Sequence, residues 1–169
     1  LKVADLGTGS GAILVGFLYY CRDAVGVGVD ISTEALKIAE ENGQNLKITD
    51  RVEWRQGDYL KAFDEEDIFD GIFSNPPYIP TKDIGGLSRE VKHEPRLALD
   101  GGTDGLYFYH LLAKGAAEHL KPGGFLAVEF GIGQATDILE MFRKSAQYED
   151  FEVIKDYGGI ERALYCRKK

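Results

Sequence analysis

Asn75-Pro76-Pro77-Tyr78 is the stretch whose residue types define a chemistry most narrowly. Each proline biases its predecessor toward extended geometry, so Asn75 and Pro76 are stiffened. Neither proline carries an N–H. What such a turn offers is a rigid pair of acceptors, the Asn75 side-chain oxygen and the Pro76 carbonyl, beside the aromatic face of Tyr78. Two acceptors match the two hydrogens of a planar NH2 group and aim its nitrogen at an electrophilic carbon. An amide nitrogen is a poor nucleophile, and holding both hydrogens on oxygen raises its electron density. In-line placement then supplies a near-attack geometry, and Tyr78 can face the developing positive charge. A carboxylate, with no hydrogens to give, would be rejected. The plain structural alternative is a Pro-rich strand exit with a capping Asn. The cofactor-type residues elsewhere in the chain weigh against it.

Those residues begin with Asp5-Leu6-Gly7-Thr8-Gly9-Ser10-Gly11, between an expected strand and an expected helix. Glycines there let a ligand approach the backbone, and the helix N-terminus adds free N–H donors suited to a carboxylate. Asp30 ends the next strand and can accept both ribose hydroxyls of an adenosine cofactor. Asp58 follows the third strand on the same sheet edge, where it can accept from an adenine amine, with Tyr59 against the ring. A structural glycine turn or NAD binding are the competing readings. The GxGxG spacing departs from GxGxxG, which is weak evidence on its own. The combination indicates a nucleoside-type cofactor without by itself selecting one.

The elements that must position these groups alternate along the chain. Strands are expected over residues 2–6, 25–30, 51–56, 68–74 and 125–130, with helices over 12–21, from Ser32 or Thr33 onward, 103–120 and 135–145. Leu106, Tyr109, Ala113, Ala116 and Leu120 share one side of the third helix, and Lys121-Pro122-Gly123-Gly124 should end it. Two closing strands, 152–155 and 162–167, suggest an antiparallel hairpin at the sheet edge. Residues 79–102 lack periodicity, and a loop that long in a compact domain is usually functional or disordered. The pattern predicts an α/β fold with a mostly parallel sheet covered by helices.

At 169 residues the chain is about one domain long, 44% apolar and 28% charged. No apolar run approaches the roughly 20 residues of a membrane span, and no signal peptide is apparent. The formal charge of −8 argues against a general nucleic-acid binder. Cys21 and Cys166 form no CxxC pair and read as reduced thiols of a cytoplasmic protein. His93, His110 and His119 lack ligand spacing, so no metal is expected. The chain opens at Leu1 on a strand without a starting Met, and we expect a fragment of a longer protein.

Taken together, these residues resemble the PrmC/HemK family of release factor glutamine N5-methyltransferases. The resemblance spans essentially the whole chain. It runs through Asp5 to Gly11, Asp30-Ile31-Ser32, Ser74 to Ile79, Glu94-Pro95, Ala98-Leu99 and Asp104-Gly105-Leu106. It continues in Glu129, Gly131 and Gln134, and closes with Asp156-Tyr157-Gly158 and Glu161-Arg162. NPPY alone is shared with adenine-N6 and guanine-N2 methyltransferases; its combination with Glu94-Pro95 and Asp156-Tyr157-Gly158 is more specific.

The resemblance implies the S-adenosylmethionine (SAM)-dependent methyltransferase fold, Rossmann-like, with seven strands and helices on both faces. It implies SAM at Asp5, Gly7, Thr8, Gly9, Ser10, Gly11, Asp30, Ile31, Asp58, Tyr59 and Asn75. It implies a substrate glutamine, that of the GGQ motif of peptide-chain release factors, at Asn75, Pro76, Pro77 and Tyr78. Residues 1–169 would be the catalytic domain, monomeric, and the family's N-terminal helical domain, which helps grip the release factor, is absent from this sequence. The resemblance assigns no role to Glu94 or Arg162; on the plain structural reading Glu94-Pro95 shapes the long loop and Arg162 forms an ion pair. Two alternatives stay open: a nucleic-acid amino-methyltransferase using the same NPPY chemistry, and a non-catalytic SAM-binding partner subunit.

Overall fold

The computed structural model describes residues 1–87 and 95–169. Seven strands form one sheet: β1 (Lys2–Leu6), β2 (Val25–Asp30), β3 (Val52–Gln56), β4 (Phe69–Ser74), β5 (Leu120–Glu129), β6 (Tyr148–Lys155) and β7 (Glu161–Lys168). Their order is β3-β2-β1-β4-β5-β7-β6. The first five run parallel, and β7 pairs antiparallel with both β5 and β6. The closing hairpin is therefore folded in, its second strand lying inside its first. The mostly parallel sheet is the one expected from the alternating pattern, and its seven strands in a Rossmann-like arrangement are those the resemblance implied.

Side-chain alternation assigns the two faces. Ala4, Leu6, Val27, Val29, Ile72, Leu126 and Val128 point into the larger core, which α3 (Tyr107–Gly115) and α4 (Ala135–Lys144) cover. Val3 points the other way, into a core with Leu14, Val15 and Leu18 of α1 (Ala12–Tyr20) and with Ile48 after α2 (Thr33–Asn45). Ser32 caps α2, its hydroxyl accepting from the Ala35 N–H at 3.2 Å. Among the described residues no helix is long and apolar enough to cross a membrane.

Several expected boundaries are corrected. The helix expected over 103–120 is an α-helix over Tyr107–Gly115 followed by a 3-10 turn, Ala116–His119. Asp104 holds the Leu106 N–H at 3.0 Å, and Gly102 and Gly105 have left-handed φ, so the preceding residues form turns. Lys121-Pro122-Gly123-Gly124 is no helix stop but a bulge within β5: Leu120 pairs with Phe69 and Phe125 with Gly71. Strand β6 begins at Tyr148, four residues earlier than expected, because a further bulge near Asp150 breaks its alternation.

Strand order reverses between β1, whose chain winds toward β2 and β3, and β4, whose chain winds toward β5. The loops leaving β1 and β4 part there and open a crevice at the carboxyl ends of the strands.

Candidate active site

A cavity of about 540 Å³ occupies that crevice. The loop after β1 contributes Gly7, Thr8, Gly9 and Ser10, and the exit of β4 contributes Asn75, Pro76 and Tyr78, so the two stretches selected from sequence meet in one space. Asn75 is exposed and Pro76 is buried while still bordering the cavity. Ser74, immediately before the turn, is anchored by donating its hydroxyl to the Leu6 carbonyl at 2.8 Å. That bond fastens the end of β4 to the end of β1, where the glycine loop starts.

Asp5 forms the cavity floor. Its Oδ2 accepts from the Thr8 hydroxyl at 2.6 Å, whereas its Oδ1 is buried without a hydrogen-bond partner. Burial pushes the Asp5 carboxyl up to about 6, and nearby Asp30 adds to this. The Thr8 hydroxyl and the Leu14 N–H pull it part of the way back without giving Oδ1 a partner. A buried carboxyl with an unpartnered oxygen, in a residue that borders the cavity, suits a cationic donor. Gly9, at φ 55°, adopts a backbone conformation that favours glycine, and a Cβ there would meet nothing within 4 Å. The loop is held by Asp30, whose Oδ2 accepts from the Gly9 N–H at 2.8 Å and whose Oδ1 accepts from the Ser32 N–H at 2.9 Å.

Six of the residues expected at the site do not border the cavity: Gly11, Asp30, Ile31, Asp58, Tyr59 and Pro77. Gly11 caps α1 and lies against Trp54, Ala39 and Val15, so its missing side chain serves packing. Asp30 stands behind the glycine loop, with lone pairs left on both oxygens. Ile31 is exposed beside it. Asp58 pairs with Lys61 at 2.5 Å. Tyr59 stacks on Phe108 with centroids 4.5 Å apart and turns its hydroxyl toward Gly7; burial holds that hydroxyl well above the usual phenol range. Pro77 is buried with its carbonyl packed against Gly101.

Other cavity residues were not among those expected at the site: Ala12 and Ile13 from the first turn of α1, and Ile79, Leu87, Ala98 and Leu99 from the long loop, although Ile79, Ala98 and Leu99 lie in motifs that carry the resemblance. That loop is closed at its base. The Ile79 N–H donates to Leu99, the Gly101 N–H to Ile79 and the Thr81 N–H to Gly102, all at 2.9–3.1 Å. Its length suggested function, but no periodicity in it could reveal which apolar residues face inward. His93 and Glu94 lie outside the described residues. Arg162 does form an ion pair, with Asp156 at 3.2 Å, and His119 Nδ1 lies 3.0 Å from the Asp67 carbonyl. Among the described residues no group of three or more His, Cys, Asp or Glu could hold a metal ion.

Residues 1–128 match the family model described as a methyltransferase domain. The chain belongs to that methyltransferase family. Two curated relatives, both named release factor glutamine methyltransferase, match almost all of this methyltransferase domain. The one from Moorella thermoacetica is 42% identical over 167 residues, covering 99% of this chain and 59% of the relative. The one from Bradyrhizobium diazoefficiens is 46% identical over 168 residues, covering 99% and 56% respectively. The chain thus spans less than two thirds of the length of these relatives. A crystal structure of a methyltransferase from Pyrococcus furiosus aligns with a TM-score of 0.73 at 23% identity, over 99% of this chain and 74% of that one. At that identity the likeness speaks for the fold.

Proposed function

We propose that this methyltransferase domain uses SAM to methylate the N5 amide nitrogen of a glutamine side chain, and that the glutamine belongs to the GGQ loop of a peptide-chain release factor. The observation that carries the reading is the opening of the Asn75–Tyr78 turn onto the same cavity as the Gly7–Ser10 loop. The names of the relatives support the choice of glutamine over a nucleobase.

The cavity residues fit SAM. The unpartnered Asp5 Oδ1 suits its ammonium, and the open side of Gly9 leaves room for a chain against the backbone. The free N–H groups at the start of α1 suit its carboxylate. Outside the cavity, Asp30 at the end of β2 keeps lone pairs that suit a ribose, and Ile31, Asp58 and Tyr59 are the residues proposed for an adenine. When bound, SAM supplies a methyl group made electrophilic by a sulfonium centre. Asn75 Oδ1 and the Pro76 carbonyl accept the two amide hydrogens and turn the nitrogen toward that methyl. Pro77 keeps the corner stiff, and the Tyr78 ring borders the nitrogen as positive charge grows on it. Methyl transfer to that nitrogen would leave it with one extra proton, which would pass to water, so no strong base would be required.

The same reading makes the enzyme a cytoplasmic monomer that works without a metal and without binding nucleic acid directly. It also assigns the grip on the release factor partly to a helical domain N-terminal to residues 1–169. The test is transfer of labelled methyl from SAM to a release factor and to the same factor with its GGQ glutamine changed to alanine. Labelling of the first alone is expected; undiminished labelling of the second rules the site out. Transfer to RNA or DNA with steep salt dependence would favour the nucleobase alternative, against which the charge of −8 weighs. Asn75→Ala should lower kcat by about 100-fold or more with little change in SAM affinity. Surviving turnover in that variant would refute the acceptor mechanism.

A further inference from the structure

The Asn75–Tyr78 turn has an unusual mechanical problem. Two of its four residues have no N–H, so the turn cannot be stiffened by a backbone ladder of its own. A side chain from the exit of β5, the neighbour of β4 on the side away from β1, contributes the missing hold. Gln134, partly buried at the N-terminal end of α4, donates from Nε2 to the Tyr78 carbonyl at 3.0 Å and to the Gly105 carbonyl at 3.3 Å. Its Oε1 accepts from the Gly131 N–H at 2.9 Å. Both amide hydrogens are used, and three segments otherwise remote in sequence are tied together: the exit of β4, the turn before α3 and the exit of β5.

Two glycines let the backbone pack closely around Tyr78. A Cβ at Gly105 would come within 2.3 Å of the Tyr78 carbonyl oxygen, and one at Gly131 within 2.8 Å of the Tyr78 ring. Tyr78 is thus enclosed on its carbonyl side and its ring side by two glycines bridged by one glutamine. Gln134 does not border the cavity. We infer that Gln134 is a positioning residue for methyl transfer: it fixes the acceptor turn through the Tyr78 carbonyl without touching substrate. This rests on the function proposed above, and the experiment separates the two.

Three proteins would be compared: the parent, Gln134→Ala and Gln134→Glu. In Gln134→Ala, kcat toward the release factor should fall about 10- to 100-fold, while the SAM dissociation constant and the KM for the factor change less than about threefold. Gln134→Glu retains the shape but, when ionised, turns oxygen toward two carbonyls. Protonation restores one donor. Its kcat relative to the parent, at saturating SAM, should therefore rise as pH falls from 8 toward 6, a trend absent from Gln134→Ala. Hydrogen exchange without any substrate gives an independent readout. The Ile79 and Gly101 amides, one step beyond the clamp, should exchange about tenfold or more faster in Gln134→Ala, with the Thr8 amide unchanged.

Unchanged exchange at residues 79 and 101, or a kcat within twofold of the parent, overturns the positioning role. If Gln134→Ala fails to fold, the pH trend of Gln134→Glu decides. A parent protein that does not methylate the release factor refutes the proposed function instead, and exchange then judges the clamp by itself.

Discussion

Asp5 concentrates the cost of burying a carboxyl in one side chain. Its carboxyl sits at about 6 in the folded protein against 3.8 ordinarily, chiefly because of burial. Between these values the folded state keeps a proton that the unfolded state has released. The group's contribution is thus most favourable below pH 4 and is lost as pH rises through 6. Asp5→Asn removes the charge that burial penalises. In the absence of SAM the variant should gain about 1–2 kcal/mol over the parent at pH 7.5, and the difference should shrink toward pH 4, as read by urea unfolding at both pH values. The gain is smaller than the full shift because the new NH2 is also buried. If Asp5 meets the SAM ammonium, affinity should weaken as pH falls below about 6 in the parent. The variant should bind about 10- to 100-fold more weakly with no such dependence, measured by calorimetry.

Elements here are held by side chains that reach across chain distance. The C-terminal end of α1 is one case: Arg51 Nη1 lies 2.9 Å from the Leu18 carbonyl, 3.3 Å from Cys21 and 3.1 Å from Ala24. This guanidinium supplies donors to carbonyls that a helix end and its loop leave free. Arg51→Ala should cost about 1–3 kcal/mol in urea unfolding, with SAM affinity unchanged. Lysine at this position should recover part of the loss. Apolar runs beside the glycine loop made α1 and β2 legible, because burial on most faces selects apolar or small residues throughout. Such runs could not show that a residue after α2 closes the first helix, since a charged side chain before a strand reads equally well as surface.

Over the whole molecule, the closing hairpin decides how the sheet ends. Insertion of β7 between β5 and β6 gives β5 a partner on both sides and leaves β6 as the edge. A chain cut after residue 147 would expose the β5 ladder from Phe125 to Glu129 and uncover Leu126 and Val128. Such an unpaired apolar edge is a template for association. The truncated protein should aggregate on expression or in light scattering at concentrations where the full chain stays dispersed; a dispersed, folded truncation would show that β5 tolerates being an edge.

Much of the architecture was readable from local pattern. Alternating apolar strands and helices specify a parallel sheet, because its central strands are buried on both faces and each crossover must pack back onto it. The glycine loop and the Asn-Pro-Pro-Tyr turn were readable because stiff or permissive backbone is written in residue type. Tertiary structure alone decided that these two turns share a cavity, that Gly11 packs against Trp54 and that Gln134 holds Tyr78. Each joins segments separated by tens of residues, and nothing in the local spacing of a chain encodes which distant atom will fill a hydrogen bond or a gap.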